Sequence, residues 1–206
     1  MRTLRVSEVG VERAAEEAAE VLRGGGIVLY PTDTLYGLGV DAANREAVAR
    51  LTALKGRNAG KAVSVVVPSP ESIREYAEVP PEAERLIAAH LPGALTLVLP
   101  LTDTRFAHLA QDGCIGIRVP ESEFTLALGR HFSAPYTATS ANVSGLPSLE
   151  SVEEIGRQFG DKAQGIDLVI DSGKLSDKAP STVVKVVEDV IEVVREGALS
   201  REDVGL

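Results

Sequence analysis

The sequence has no tryptophan, one methionine and one cysteine, Cys114, in 206 residues, and its only histidines are His90, His108 and His131. A single thiol cannot close an internal disulfide, and three scattered imidazoles show no metal-ligand spacing, so neither a disulfide framework nor a protein metal site is expected. That cysteine usage suits a reducing, cytoplasmic compartment. Four tyrosines and four phenylalanines give little for a stacking platform on single-stranded nucleic acid. Positive charge is also scarce: 21 Lys and Arg against 30 Asp and Glu leave a formal charge of −9. This balance argues against a broad phosphate-gripping face and allows only local contact with nucleic acid. No apolar run approaches the roughly 18 residues of a membrane helix, and the N-terminal Met1-Arg2-Thr3-Leu4-Arg5 lacks a signal peptide's apolar stretch. Neither membrane association nor export by that route is expected.

Hydrophobic residues, by contrast, make up 44% of the chain and charged ones 25%, which is enough for a real core and excludes an intrinsically disordered chain. No repeat, low-complexity tract or linker interrupts the sequence, so residues 1–206 are expected to form a single domain. Val11, Ala14, Ala15, Ala18 and Leu22 recur at helical spacing, and Gly24-Gly25-Gly26 ends that helix. A buried strand, Ile27 to Tyr30, follows. Val48, Leu51 and Leu54 mark a second helix, and Ala83, Leu86, Ile87 and Leu91 a third, entered through Pro80-Pro81. Phe124 to Phe132 reads as another helix. Strands are expected at Val63 to Val67, Leu95 to Leu99, Ile115 to Val119, Tyr136 to Thr139 and Leu168 to Asp171, with a hairpin of Thr182–Val187 and Val190–Arg195. Strands interleaved with helices predict an α/β fold: a mixed sheet flanked by helices.

Two phosphate-binding patterns are near misses. Gly37-Leu38-Gly39-Val40-Asp41-Ala42 fits the dinucleotide fingerprint, but six residues separate it from its strand and no acidic residue lies at the ribose spacing, so it reads as a turn needing positive φ. Gly56-Arg57-Asn58-Ala59-Gly60-Lys61-Ala62 is one residue short of a P-loop and has alanine where the magnesium-binding hydroxyl belongs. Three cations within seven residues, Lys55, Arg57 and Lys61, nevertheless end a helix in an acidic chain. They suit a loop over an anion, or simply a solvated helix terminus favoured by its dipole. Arg118, between Ile117 and Val119, and Arg195, at a strand end, are fork-shaped donors for phosphate or carboxylate, or members of structural ion pairs. Thr139-Ser140-Ala141-Asn142-Val143-Ser144-Gly145 ends a strand with hydroxyls and an amide, which serves either as a polar ligand cradle or as ordinary turn chemistry. Ser181-Thr182 invites the same two readings. No nucleophile elbow, Cys-His pattern or His-Glu-x-x-His helix occurs, so hydrolase and zinc-protease chemistry lack support.

Six of these segments stand in the order of a known family. Pro31-Thr32-Asp33-Thr34-Leu35-Tyr36-Gly37-Leu38-Gly39, Lys55-Gly56-Arg57 with Lys61, Gly116-Ile117-Arg118-Val119-Pro120, Ser140-Ala141-Asn142-Val143-Ser144-Gly145, Ser181-Thr182-Val183 and Arg195-Glu196-Gly197 resemble the YrdC-like threonylcarbamoyl-AMP synthases, in their short, single-domain form. The resemblance implies a twisted mixed sheet around a deep cationic cavity, where L-threonine, bicarbonate and ATP, the last with Mg²⁺, yield threonylcarbamoyl-AMP and pyrophosphate. The product would pass to a transferase complex that modifies tRNA, with at most weak tRNA contact here. By the same resemblance Lys55 and Arg57 are the catalytic cations. Lys55, Arg57, Lys61, Ser140, Asn142, Ser148 and Arg195 would bind the nucleotide, and Thr32, Ser64, Arg118, Thr139 and Ser181 the threonine and bicarbonate. Asn58, Ala62, Ala94 and Thr139 stand where the family often carries proline, a departure that bears on loop rigidity. A YrdC paralogue of different activity and a non-enzymatic RNA-binding module are the alternatives.

Overall fold

Alternation of apolar residues along each strand decides which face it buries. The computed structural model describes residues 2–56, 62–175, 179–188 and 190–206. Its elements run β1 (Arg2–Arg5), α1 (Val6–Val9), α2 (Val11–Arg23), β2 (Val28–Tyr30), β3 (Gly37–Gly39), α3 (Arg45–Leu54), β4 (Ser64–Val66), α4 (Pro81–His90), β5 (Leu95–Pro100), β6 (Cys114–Arg118), α5 (Glu123–Phe132), β7 (Tyr136–Ser140), α6 (Val152–Phe159), β8 (Leu168–Asp171), β9 (Thr182–Val187) and β10 (Val190–Arg195). The strands pair in the order β1-β8-β2-β3-β7-β4-β6-β5-β9-β10. The pairs β1–β8, β2–β8, β4–β6 and β5–β9 are parallel and the others antiparallel, so the sheet is mixed, as expected.

The two faces of the sheet are covered unequally. On one face Val65, Leu95, Leu97, Leu99, Ile115, Ile117, Val184 and Val186 join Ala47, Val48, Leu51 and Leu54 of α3, Leu86 and Ile87 of α4 and Ile155 and Phe159 of α6 in one continuous core. On the other face α2 and α5 bury Ala14, Ala15, Ala18, Ala19, Leu22, Phe124, Ala127 and Leu128 against Val28, Tyr30, Val66, Tyr136, Leu168 and Ile170. Alanine dominates the buried stripe of α2, which lets that helix lie close to its neighbour. The helix pair spans only part of this face. The remainder, carried by β4, β5, β6 and β9, is where Ser64, Thr96, Arg118 and Val183 point into a cavity. Arg118 therefore faces away from Ile117 and Val119, both in the larger core.

One segment corrects the sequence reading. Gly37 and Gly39 form strand β3, paired with β2 and β7, and neither has a positive φ. They are glycines because the Tyr30 ring lies across them: a Cβ on Gly37 would meet Tyr30 Cζ at 2.9 Å, and one on Gly39 would meet Tyr30 Cε1 at 2.9 Å. Close approach, and not a turn, requires them. Strand β1 and helix α6 are not among the expected elements. Helix α6 begins at Ser151, whose Oγ accepts from the Glu154 backbone N–H at 3.3 Å and donates to the Glu154 carboxylate at 3.0 Å.

Candidate active site

Strand ends on the half-covered face converge on a cavity of about 310 Å³. Its lining includes Tyr30, Thr32, Thr34, Ser64, Thr96, Arg118, Thr139, Ser140, Ser148, Ser181 and Arg195, and among the described residues it contains no acidic side chain. The surface is thus rich in hydroxyls and has two guanidinium groups, a donor set that matches an anionic, polar ligand.

Arg118 is only 8% exposed. Its Nη2 donates to Asp33 Oδ1 at 2.5 Å, Nη1 to Thr34 Oγ1 at 2.9 Å and Nε to the Gly93 carbonyl at 3.4 Å. Gly93 in turn donates its N–H to the carbonyl of Val119 at 2.8 Å, fixing that loop to the end of β6. Arg118 both lines the cavity and is ion-paired, two descriptions that the sequence presents as competing. Arg195 closes the other side: its Nη2 donates to the Ser181 carbonyl at 2.7 Å and to Ser181 Oγ at 3.3 Å, while Ser181 Oγ shares a 2.9 Å hydrogen bond with Thr96 Oγ1. Burial, and then the positive charge of Arg118, lower the pKa of Arg195 from its ordinary value.

Lys55 follows α3 directly and is 4% exposed, so it does not decorate a solvated helix end. Its Nζ donates to the carbonyl of Ser140, and its own carbonyl accepts the Ser144 N–H at 2.9 Å. Arg57 and Lys61 lie outside the described residues. Ser64 reaches the cavity because β6 carries glycine beside it: a Cβ on Gly116 would sit 2.4 Å from Ser64 Oγ. Thr32 lines the cavity while its Oγ1 donates to the Leu35 carbonyl at 2.6 Å and accepts the Thr34 and Leu35 N–H groups at 3.1 Å each. Thr139, Ser140 and Ser148 also line it. Asn142 does not: its Oδ1 accepts from Ser140 Oγ and its Nδ2 donates to the carbonyls of Val143 at 3.1 Å and Leu146 at 2.7 Å. In this state its amide holds the 142–146 loop.

Sequence reasoning assigned no role to Asp33, Thr34, Thr96 or Tyr30. Thr96 did carry a signal, as the lone polar residue in Leu95-Thr96-Leu97-Val98-Leu99, since a hydroxyl on an otherwise apolar strand needs a partner.

The Sua5/YciO/YrdC family model, described as Telomere recombination, matches residues 20–197. A threonylcarbamoyl-AMP synthase of Pyrococcus abyssi is 35% identical over 190 residues, which is 91% of this chain and 55% of the relative. This chain belongs to the Sua5/YciO/YrdC family. Among solved structures, P. abyssi Sua5 complexed with L-threonine matches with a TM-score of 0.86 at 33% identity, over 98% of this chain and 59% of that one. E. coli YciO matches with a TM-score of 0.84 at 29% identity, over 93% of each chain. The chain thus spans little more than half of the Sua5 relative and nearly all of YciO. In this member of the Sua5/YciO/YrdC family the cavity lies where the α2–α5 pair stops covering the sheet.

Proposed function

We propose that this chain is an L-threonylcarbamoyladenylate synthase, a nucleotidyltransferase that converts L-threonine, bicarbonate and ATP to L-threonylcarbamoyl-AMP and pyrophosphate, the first step of threonylcarbamoyladenosine formation in tRNA. The observation that carries this reading is the hydroxyl-rich cavity with Arg118 and Arg195, on a fold that matches a threonine-bound relative. Condensation of threonine's amine with bicarbonate gives a carbamate and water. A carbamate oxygen then attacks the α-phosphorus of ATP, and pyrophosphate leaves. No covalent enzyme intermediate is needed, so the protein's work is positioning, exclusion of water and neutralisation of phosphate charge. In this reading Arg118 takes the threonine carboxylate, with Thr32, Ser64, Thr139 and Ser181 around the amino acid. Arg195, Ser140 and Ser148 line the part of the cavity left for the nucleotide, Lys55 and Asn142 hold Ser140 from behind through its carbonyl and hydroxyl, and the family resemblance gives Arg57 and Lys61 to the phosphates.

Protein-bound magnesium usually takes one or two carboxylate ligands. The described lining offers hydroxyl oxygens but no carboxylate, and no group of three or more His, Cys, Asp or Glu that could hold a metal occurs among the described residues. A protein-held ion does not fit that set. Magnesium enters this reading with the triphosphate. The product, a mixed anhydride prone to hydrolysis, calls for a downstream transferase acting on tRNA in the same compartment. A non-enzymatic RNA-binding role is disfavoured, because a chain with a formal charge of −9 offers little electrostatic affinity for a phosphate backbone.

The test is pyrophosphate release from purified protein with ATP, Mg²⁺, threonine and bicarbonate, each omitted in turn. Release should require threonine and bicarbonate together. Orthophosphate in place of pyrophosphate would place cleavage at the γ-phosphate and sink the mechanism.

A further inference from the structure

Asp33 sits between two cavity-lining threonines, Thr32 and Thr34, yet does not itself line the cavity. Its carboxylate instead meets Arg118 at 2.5 Å, with the two side chains 12% and 9% exposed. A guanidinium has five N–H donors. Among the described residues, Asp33, Thr34 and Gly93 occupy one each on Nη2, Nη1 and Nε, so one N–H remains on each terminal nitrogen for a bound carboxylate. A long arginine side chain loses much rotamer freedom when it binds, and a fork already fixed on three sides has lost that freedom beforehand. Charge points the same way. Arg118 and Arg195 are near enough for one cation to depress the pKa of the other. Asp33 offsets one of those two charges without entering the ligand volume, and a bound carboxylate offsets the second.

We propose that Asp33 is a positioning residue that fixes the Arg118 fork from behind, so that its two remaining terminal N–H groups are presented to the substrate carboxylate. The proposal rests on the threonine reading above and deepens it. Thr34 shares the task from the cavity side, and the Gly93 carbonyl sets the plane of the guanidinium. Asp33→Asn keeps the size and an acceptor oxygen but removes the charge. Asp33→Glu keeps the charge.

Calorimetric titration of L-threonine and, separately, of ATP into wild type, Asp33→Asn and Asp33→Glu tests this. Asp33→Asn should weaken threonine binding about tenfold or more, as expected when a shielded charge pair loses one member, and leave ATP binding within about twofold. Asp33→Glu should recover most of the threonine affinity. A ¹⁵N spectrum of the arginine side chains adds a readout that needs no ligand: the Arg118 Nε–H signal should be sharp in wild type and broadened by exchange in Asp33→Asn. Wild-type threonine affinity in Asp33→Asn overturns the proposal, as does an equal loss of threonine and ATP affinity in both variants. If wild type binds ATP and not threonine, the substrate reading falls. Asp33 is then judged on the spectrum, where an unchanged Arg118 signal in Asp33→Asn overturns its role.

Discussion

Among single residues, His108 has no part in the cavity and still carries a testable property. Both of its ring nitrogens are buried, and no well-aligned hydrogen bond reaches them among the described residues, only the nearby backbone of Ala42 and Arg105. Burial first, and then the charge of Arg45, lower its pKa from 6.5, against a weaker opposing pull from the backbone at Ala42 and Arg105. A depressed folded value means that the unfolded chain binds the proton more readily. The stabilising contribution is therefore fully present above about pH 6.5 and is lost as pH falls through the folded value. The expected outcome is a larger fall in Tm between about pH 7 and 5.5 for wild type than for His108→Gln, read by thermal denaturation, because the variant has no proton to take up. Parallel curves would show that the ring is solvated. Residue-scale legibility divides along the same line. Lys55, Arg118, Arg195 and Ser181 could be picked out because a cation or a hydroxyl at a strand or helix end declares itself. Asp33 and Thr34 could not, since their partner Arg118 lies about 85 residues along the chain and only the folded sheet brings them together.

At the scale of elements, the helices and strands read from periodicity form close to where it places them, and further elements stand outside that reading. The first strand, Arg-Thr-Leu-Arg, has too little apolar alternation to register and is held by parallel pairing with β8. Strand β3 hides behind glycines that serve the Tyr30 ring. Helix α6 carries signals that the sequence reading passes over: Val152, Ile155 and Phe159 stand at helical spacing, and Ser151-Val152-Glu153-Glu154 has the pattern of a capping box. Because Ser151 Oγ serves both the backbone and the carboxylate of Glu154, Ser151→Ala should cost about 1 kcal/mol. Chemical denaturation would read it as a lower midpoint with an unchanged slope. The helix borders the 142–146 loop, since Gln158 accepts the Val143 N–H at 2.9 Å and donates to the Pro147 carbonyl at 2.9 Å. A loss confined to stability, with turnover intact, would show that the cap supports the fold alone.

For the molecule as a whole, the unequal covering of the sheet separates stability from function, and neighbouring residues of one strand can expose the separation. Leu97 is fully buried in the core shared with α3, α4 and α6. Thr96, one residue earlier, faces the cavity, where its hydroxyl meets Ser181 Oγ at 2.9 Å. Leu97→Ala removes buried methyl groups and leaves a void, so it should cost roughly 2–5 kcal/mol. Its effect on the Michaelis constant for threonine should be small while the protein remains folded. Thr96→Val keeps the shape and removes one hydroxyl. Ser181 Oγ retains its contact with Arg195, so no buried group is stranded and the stability cost should be about 1 kcal/mol or less. The Ser181–Arg195 wall loses a tether, however, and the Michaelis constant for threonine should rise several-fold. Denaturation and steady-state kinetics on these two variants would test the division directly. Equal effects of both substitutions on stability and on threonine use would show that the two faces act as one unit.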